Sequence, residues 1–100
     1  MLEDGKFSLF IHPEAQSEIK EHYWYYEAKS SQLGEKFLAE IEISFSLLSE
    51  APSIWPKVGY FHKYTLQKFP FLIFYTFRAG EIAVYTVAHS SRRPFYWLPR

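Results

Sequence analysis

Hydrophobic positions along the 100-residue chain change their period twice, and the changes divide it into elements. Over residues 6–11 the apolar Phe7, Leu9 and Ile11 alternate with Ser8 and Phe10, the period-two pattern of a short strand with one face more buried than the other. His12-Pro13 ends it. Proline suits the first position of a helix, where its missing N–H had no intrahelical acceptor anyway, and Glu14 complements the positive helix end. Ala15, Ile19, Tyr23 and Tyr26 then recur at i, i+4, i+8 and i+11, which predicts an amphipathic helix to about Ser30, with Trp24 and Tyr25 widening its apolar stripe. Ser30-Ser31 offers a break and a new N-cap. Leu33, Phe37, Ile41, Phe45 and Leu48 repeat the helical period, so a second helix follows and ends by Pro52. The short join implies an antiparallel hairpin, with Leu38 and Leu47 available to a second neighbour.

Residues 51–59 contain two Pro, one Gly and Trp55, an ordered connection because the indole calls for burial. The period then returns to two. Residues 60–67, 70–77 and 81–89 read as three strands separated by turns at Lys68-Phe69 and Arg78-Ala79-Gly80, an antiparallel meander. In the middle strand Phe71, Ile73, Tyr75 and Phe77 oppose Leu72, Phe74 and Thr76, so both faces are largely apolar and the strand is expected to be central. In the last, Ile82, Val84, Thr86 and Ala88 alternate with Ala83, Tyr85, Val87 and His89, which puts His89 where the sheet ends. The tail, residues 90–100, mixes three Arg with Phe95, Tyr96 and Trp97 and is too aromatic to hang free. The fold class is α+β in the order β-α-α-β-β-β: an N-terminal strand, a two-helix antiparallel hairpin, then a three-stranded antiparallel meander. The length suits one domain, residues 1–100, with a single core.

Composition narrows the chemistry. A hydrophobic content of 48%, 21% of the chain being aromatic, lies far from that of disordered segments. The longest apolar run, residues 69–77, is well short of the roughly 18 residues needed to cross a bilayer. Met1-Leu2-Glu3-Asp4-Gly5 has acids where a secretory signal carries cations, so a cytoplasmic protein without membrane contact is expected. Without cysteine there is no disulfide framework, thiolate nucleophile or cysteine zinc site. His12, His22, His62 and His89 show no paired ligand spacing, and the glycines are isolated, so neither a metal nor a nucleotide cofactor is expected. The net charge of zero conceals a division. Residues 1–56 hold four Lys against ten acids, a net −6, whereas residues 57–100 hold seven Lys and Arg against Glu81 alone, a net +6. Such a back half is suited to an anionic partner, nucleic acid or acidic protein; acids on solvated helix faces and basic residues flanking strands give the same count without function.

Local motifs extend this reading. His12-Pro13-Glu14-Ala15, Tyr25-Tyr26-Glu27, Leu33-Gly34 with Phe37-Leu38, and Pro52 follow in order, then Phe69-Pro70-Phe71 with Ile73 and Tyr75. Val87-Ala88-His89, then Arg92 or Arg93, Pro94, Tyr96-Trp97 and Arg100 complete the series. In these motifs and in the order of its elements the chain resembles the RelE/ParE superfamily of toxins of bacterial type II toxin–antitoxin systems, its plasmid-stabilisation, ParE-like branch in particular, over nearly its whole length. The resemblance implies a growth-inhibiting toxin neutralised by a cognate antitoxin. Members of this fold either cleave messenger RNA on the ribosome or poison DNA gyrase, and fold alone does not choose between them.

A metal-independent endoribonuclease needs a base for the 2′-OH proton, cations for the phosphate and an acid for the leaving oxygen. His89 offers the base or acid. Arg92 and Arg93 offer a bidentate clamp, Lys63 a point charge and Tyr96 a stacking surface, with Arg100 a further cation for RNA or a protein partner. Each has a plainer alternative: a structural hydrogen bond for His89, pairing with front-half acids for the two arginines, and packing for Tyr96 and Trp97. Two departures weigh against a nuclease. Many relatives carry a pair of arginines where this chain has His62-Lys63-Tyr64, and lysine cannot make arginine's forked contact. Ribosome-directed relatives also tend to be strongly basic, and this chain is neutral overall. A gyrase-poisoning toxin, or an interaction domain of the same fold without activity, is the alternative.

Overall fold

A strand that is apolar on both faces must be covered on both, and this requirement organises the chain. The computed structural model describes residues 7–93 and 95–98. Its elements are β1 (Ser8–Ile11), α1 (Pro13–Lys29), α2 (Leu33–Glu50), β2 (Lys57–Val58), β3 (Phe61–Thr65), β4 (Phe71–Arg78) and β5 (Glu81–His89). They form one five-stranded sheet in the order β1-β5-β4-β3-β2, with β4 at its centre. The pairs β5–β4, β4–β3 and β3–β2 are antiparallel, as the meander requires. β1 pairs in parallel with β5, Ser8 opposite Glu81 through Ile11 opposite Val84. The helix hairpin between β1 and the meander makes this long-range parallel pairing feasible, since parallel strands need an extended crossover connection.

The helices cover one face. Ala15, Phe37, Ile41 and Leu48 pack with Ile73, Tyr75, Ile82, Val84 and Val87 in the main core. Tyr75 is fully buried, and its hydroxyl donates to the Pro52 carbonyl at 2.7 Å, so its polar tip is satisfied where the chain leaves α2. The opposite face carries a second core, Phe61, Phe74 and Trp97, with Leu72, Tyr85 and Phe95 around it. This cluster fixes the C-terminal segment onto the sheet. Edge-to-face pairs such as Phe61 with Trp97 at 4.9 Å add about 0.5–1.5 kcal/mol beyond area burial.

Several expectations need correction. Trp24 and Tyr25 do not widen the buried stripe of α1: they are 61% and 58% exposed, because the sheet side of the helix is already filled by Ala15, Ile19, Tyr23 and Tyr26. The second helix is not capped by Ser30 or Ser31. Ser30 N–H still donates to Tyr26 O and ends α1, Gln32 sits at the N-cap with φ 71°, and Glu27 reaches across the join to accept from Gln32 N at 3.1 Å and Gly34 N at 2.9 Å. The strand expected over residues 60–67 contracts to Phe61–Thr65 because the Gln67 and Lys68 amides are taken by the buried carboxylate of Glu40 on α2. A short β2 that periodicity did not foresee covers part of the β3 edge. Strict alternation also fails in β5. Phe74 faces Thr86 while Tyr75 faces Val84, so Tyr85 is the extra residue of a β-bulge. Val84 and Val87, three apart, consequently both enter the helix-side core.

Gly34 shows how closely the hairpin is drawn together. A Cβ there would lie 2.7 Å from the Tyr23 carbonyl oxygen and 2.8 Å from Glu27 Oε1, and the backbone oxygen cannot swing aside. Overpacking of this kind typically costs about 1–3 kcal/mol. Gly34→Ala is therefore expected to lower the unfolding free energy by that amount, seen as a lower denaturant midpoint, and to spread the hairpin; an unchanged midpoint in a urea titration would show that the helices are free to separate.

Candidate functional site

The parallel pairing of β1 with β5 stops at Val84, where His12 N–H donates to the Val84 carbonyl at 2.9 Å and the chain turns into α1. Among the described residues, the rest of β5 runs on to His89 without a neighbouring strand on that side. Side chains of α1 take the missing strand's place. Glu18 Oε1 accepts from Val87 N at 3.0 Å and from Thr86 Oγ1 at 2.7 Å, while His22 Nε2 donates to the Val87 carbonyl at 2.9 Å. Residues four apart share a helix face, so Glu18 and His22 reach one peptide-length stretch of strand together. The sequence reading gave neither residue a role, although their i, i+4 spacing was visible.

His22 is half-buried, with its ring 4.3 Å from that of Phe71. Burial pushes its pKa below the ordinary 6.5, and the His89 charge adds to this, against the opposing Val87 hydrogen bond and the Glu18 and Glu21 carboxylates. Protonation is thus easier in the unfolded chain than in the native one. By linkage the unfolded state binds more protons below the unfolded value, so stability is full above about pH 6.5 and declines as pH falls from there toward the depressed native value. A thermal-melting series between pH 7.5 and 5 should show this decline, and His22→Gln should remove most of it; an identical slope in the variant would place the sensitivity elsewhere.

Past His89 the chain turns back over the second core. Arg92 N donates to His89 O at 3.0 Å, and Tyr96 N to Arg93 O at 3.2 Å. Phe95 has a φ of 59°, uncommon for so large a residue, and its ring packs 5.9 Å from Phe74 and 5.8 Å from Trp97. The turn brings Lys63, His89, Arg92, Arg93 and Tyr96 around one open pocket of about 170 Å³ against Leu72, Phe74 and Trp97. Five of the six residues singled out in the sequence therefore lie together, and Arg100 falls outside the described residues. Lys63 belongs to β3, opposite Phe74 of β4, some 26 positions or more in sequence from the others. Among the described residues no Asp or Glu lines the pocket.

Within it the side chains are already engaged. His89 Nδ1 lies 2.8 Å from Ser91 Oγ and accepts the Ser91 backbone N–H at 3.1 Å. A backbone N–H can only donate, so the Nδ1 lone pair is used there and the proton of the neutral ring sits on Nε2. The Arg92 guanidinium lies 3.8 Å from the Tyr96 ring centroid, a cation–π stack. The Tyr96 hydroxyl donates to Glu18 Oε2 at 3.3 Å, linking the C-terminal segment to α1. Ser91, like Glu18, carried no role in the sequence reading. The pocket as built is a cationic, aromatic-walled surface able to take an anionic group. Among the described residues no three His, Cys, Asp or Glu side chains stand close enough to hold a metal ion, and no helix is long and apolar enough to cross a membrane.

A helix hairpin on one face of a mixed sheet, with a cationic C-terminal turn on the other, defines a small α+β domain. Residues 9–94 match the family model described as the ParE toxin of the type II toxin–antitoxin system parDE. The chain belongs to the ParE toxin family. A solved chain from the chromosomal ParDE toxin–antitoxin system of P. aeruginosa has the same fold, with a TM-score of 0.69 and 18% sequence identity over 85% of this chain and 97% of that one. No curated protein matches the chain.

Proposed function

We propose that this ParE-family toxin arrests growth by binding and poisoning DNA gyrase in the cytoplasm and does not cleave RNA. The observation that carries the reading is the state of His89. Among the described residues it is the one imidazole lining the pocket, no carboxylate lines it, and its Nδ1 lone pair already receives the Ser91 amide. To act as a base His89 would have to give up that hydrogen bond. What remains is binding chemistry: Lys63, Arg92 and Arg93 for an anionic surface, and aromatic walls for apolar contact. Family membership supports the same choice.

Purified toxin should inhibit gyrase supercoiling and leave cell-free translation intact. Arg92→Ala with Arg93→Ala should weaken that inhibition about tenfold or more, since a hydrogen bond to a charged group contributes about 1.5–3 kcal/mol. His89→Ala should change it by less than about threefold, whereas a true general acid or base contributes about 10²–10⁴-fold. Messenger-RNA cleavage that disappears in His89→Ala would instead establish a ribonuclease.

The cognate antitoxin, on this reading, neutralises the toxin with an acidic, amphipathic segment that covers the same cationic face. Charge supplies steering, while apolar burial supplies the affinity that screening at a Debye length of about 8 Å would otherwise remove. Reversing Arg92 and Arg93 to Glu should slow association and flatten its salt dependence more than it speeds dissociation. Binding kinetics across a salt series test this, and an association rate indifferent to both changes would exclude the basic face from the complex.

A further inference from the structure

We propose that Glu18 is a positioning residue for the toxin's cationic site, acting through Tyr96 to hold the Arg92 guanidinium in place over the C-terminal turn. The inference rests on the reading of that pocket as the surface through which the toxin acts. Glu18 stands on the first helix, on the far side of the sheet edge from the arginine, yet one hydrogen bond and one cation–π stack, both made by Tyr96, join them. Its Oε1 is anchored by Thr86 Oγ1 at 2.7 Å and Val87 N at 3.0 Å, both on β5, so the carboxylate is fixed before it meets the tail. Its Oε2 accepts the Tyr96 hydroxyl at 3.3 Å, and the opposite resource of Tyr96, its ring face, carries Arg92 at 3.8 Å. Burial and then the Glu18 charge hold the Tyr96 phenol above its ordinary pKa, so it stays a donor throughout the physiological range.

The physical need for such a device is plain. An exposed cation–π stack is worth only about 0.5–1 kcal/mol, too little to hold a long, rotamer-rich arginine unless the ring beneath it is itself immobile. The hydrogen-bond chain supplies that immobility. Without it Tyr96 keeps its backbone bond to Arg93 and a side-chain contact with Thr86 but loses the carboxylate that fixes its hydroxyl, and Arg92 loses a defined direction.

Two variants and two readouts test this. Glu18→Ala removes the whole anchor, and Tyr96→Phe removes only the hydroxyl while leaving Glu18 its contacts with Thr86 and Val87. Tyr96→Phe therefore carries the test if Glu18→Ala does not fold. The first readout is the upfield ring-current displacement of the Arg92 side-chain protons in the NMR spectrum of the purified toxin, which a merely structural role for Glu18 would not affect in a folded variant. The second is the induction level that arrests growth in cells lacking antitoxin. The expected result is loss of most of the Arg92 displacement in both variants and an increase of about tenfold in the level needed for arrest, no larger in the double variant than in the single ones. An Arg92 displacement unchanged in folded variants would overturn the positioning role, whatever happens to growth. A displacement lost with toxicity intact would leave Glu18's hold on Arg92 standing and overturn instead the reading of this pocket as the acting surface.

Discussion

The central strand β4 is apolar on both faces, and this one constraint shapes the rest of the molecule. Burying only one face would leave Leu72 and Phe74 as an apolar patch in water, and burying both demands a second cover. The helix hairpin supplies the first cover. The second comes from the C-terminal segment, whose Phe95 and Trp97 pack onto the open face and in doing so fix Arg92 and Arg93 beside it. The cationic site is thus a by-product of completing the core: the residues that finish the sheet also carry the charge. Strain at Phe95, of order 1–3 kcal/mol for a bulky left-handed residue, is tolerated because several aromatic contacts surround it.

A second constraint comes from the unequal lengths of neighbouring strands. β1 is four residues long and β5 nine, so β5 runs past its parallel neighbour. Unpaired strand edges expose backbone donors and acceptors to water or to other chains. α1 answers with Glu18 and His22, one accepting and one donating at Val87, and the bulge at Tyr85 turns the Val87 side chain into the core at the same point. Packing, edge capping and the orientation of the C-terminal turn therefore meet on one stretch of β5. The proposed positioning role of Glu18 runs through that stretch.

This coupling also bears on the division of charge between the halves of the chain. The acidic front half is not uniformly a solvated surface: Glu18, Glu27 and Glu40 each spend their carboxylates on backbone amides, at the β5 edge, the hairpin join and the β3–β4 turn respectively. Such charge-assisted bonds are shorter and stronger than neutral ones. Lys63, Arg92 and Arg93 from the back half gather around one pocket, while Lys57, Arg78 and Glu81 lie by other surface grooves.

By itself the sequence determined the element types and their order, because the helical stripes of Ala15 to Tyr26 and Leu33 to Leu48 and the alternation of residues 71–77 are local periodicities that need no tertiary information. The two-faced strand also marked the centre of the sheet, and the aromatic content of the tail marked it as packed. Only the tertiary structure decided the parallel pairing of β1 with β5, the bulge at Tyr85, the replacement of Ser30 by Glu27 as cap, and the exposure of Trp24 and Tyr25. Each depends on a partner remote in sequence or on whether a face is already occupied, and a periodicity carries neither fact. The site divides in the same way. Residue chemistry pointed to His89, Lys63, Arg92, Arg93 and Tyr96 as candidates. The Ser91 amide on His89 and the Glu18 carboxylate beneath Tyr96 emerged only from the fold, because a hydrogen-bonding partner is selected by distance in space and not by spacing along the chain.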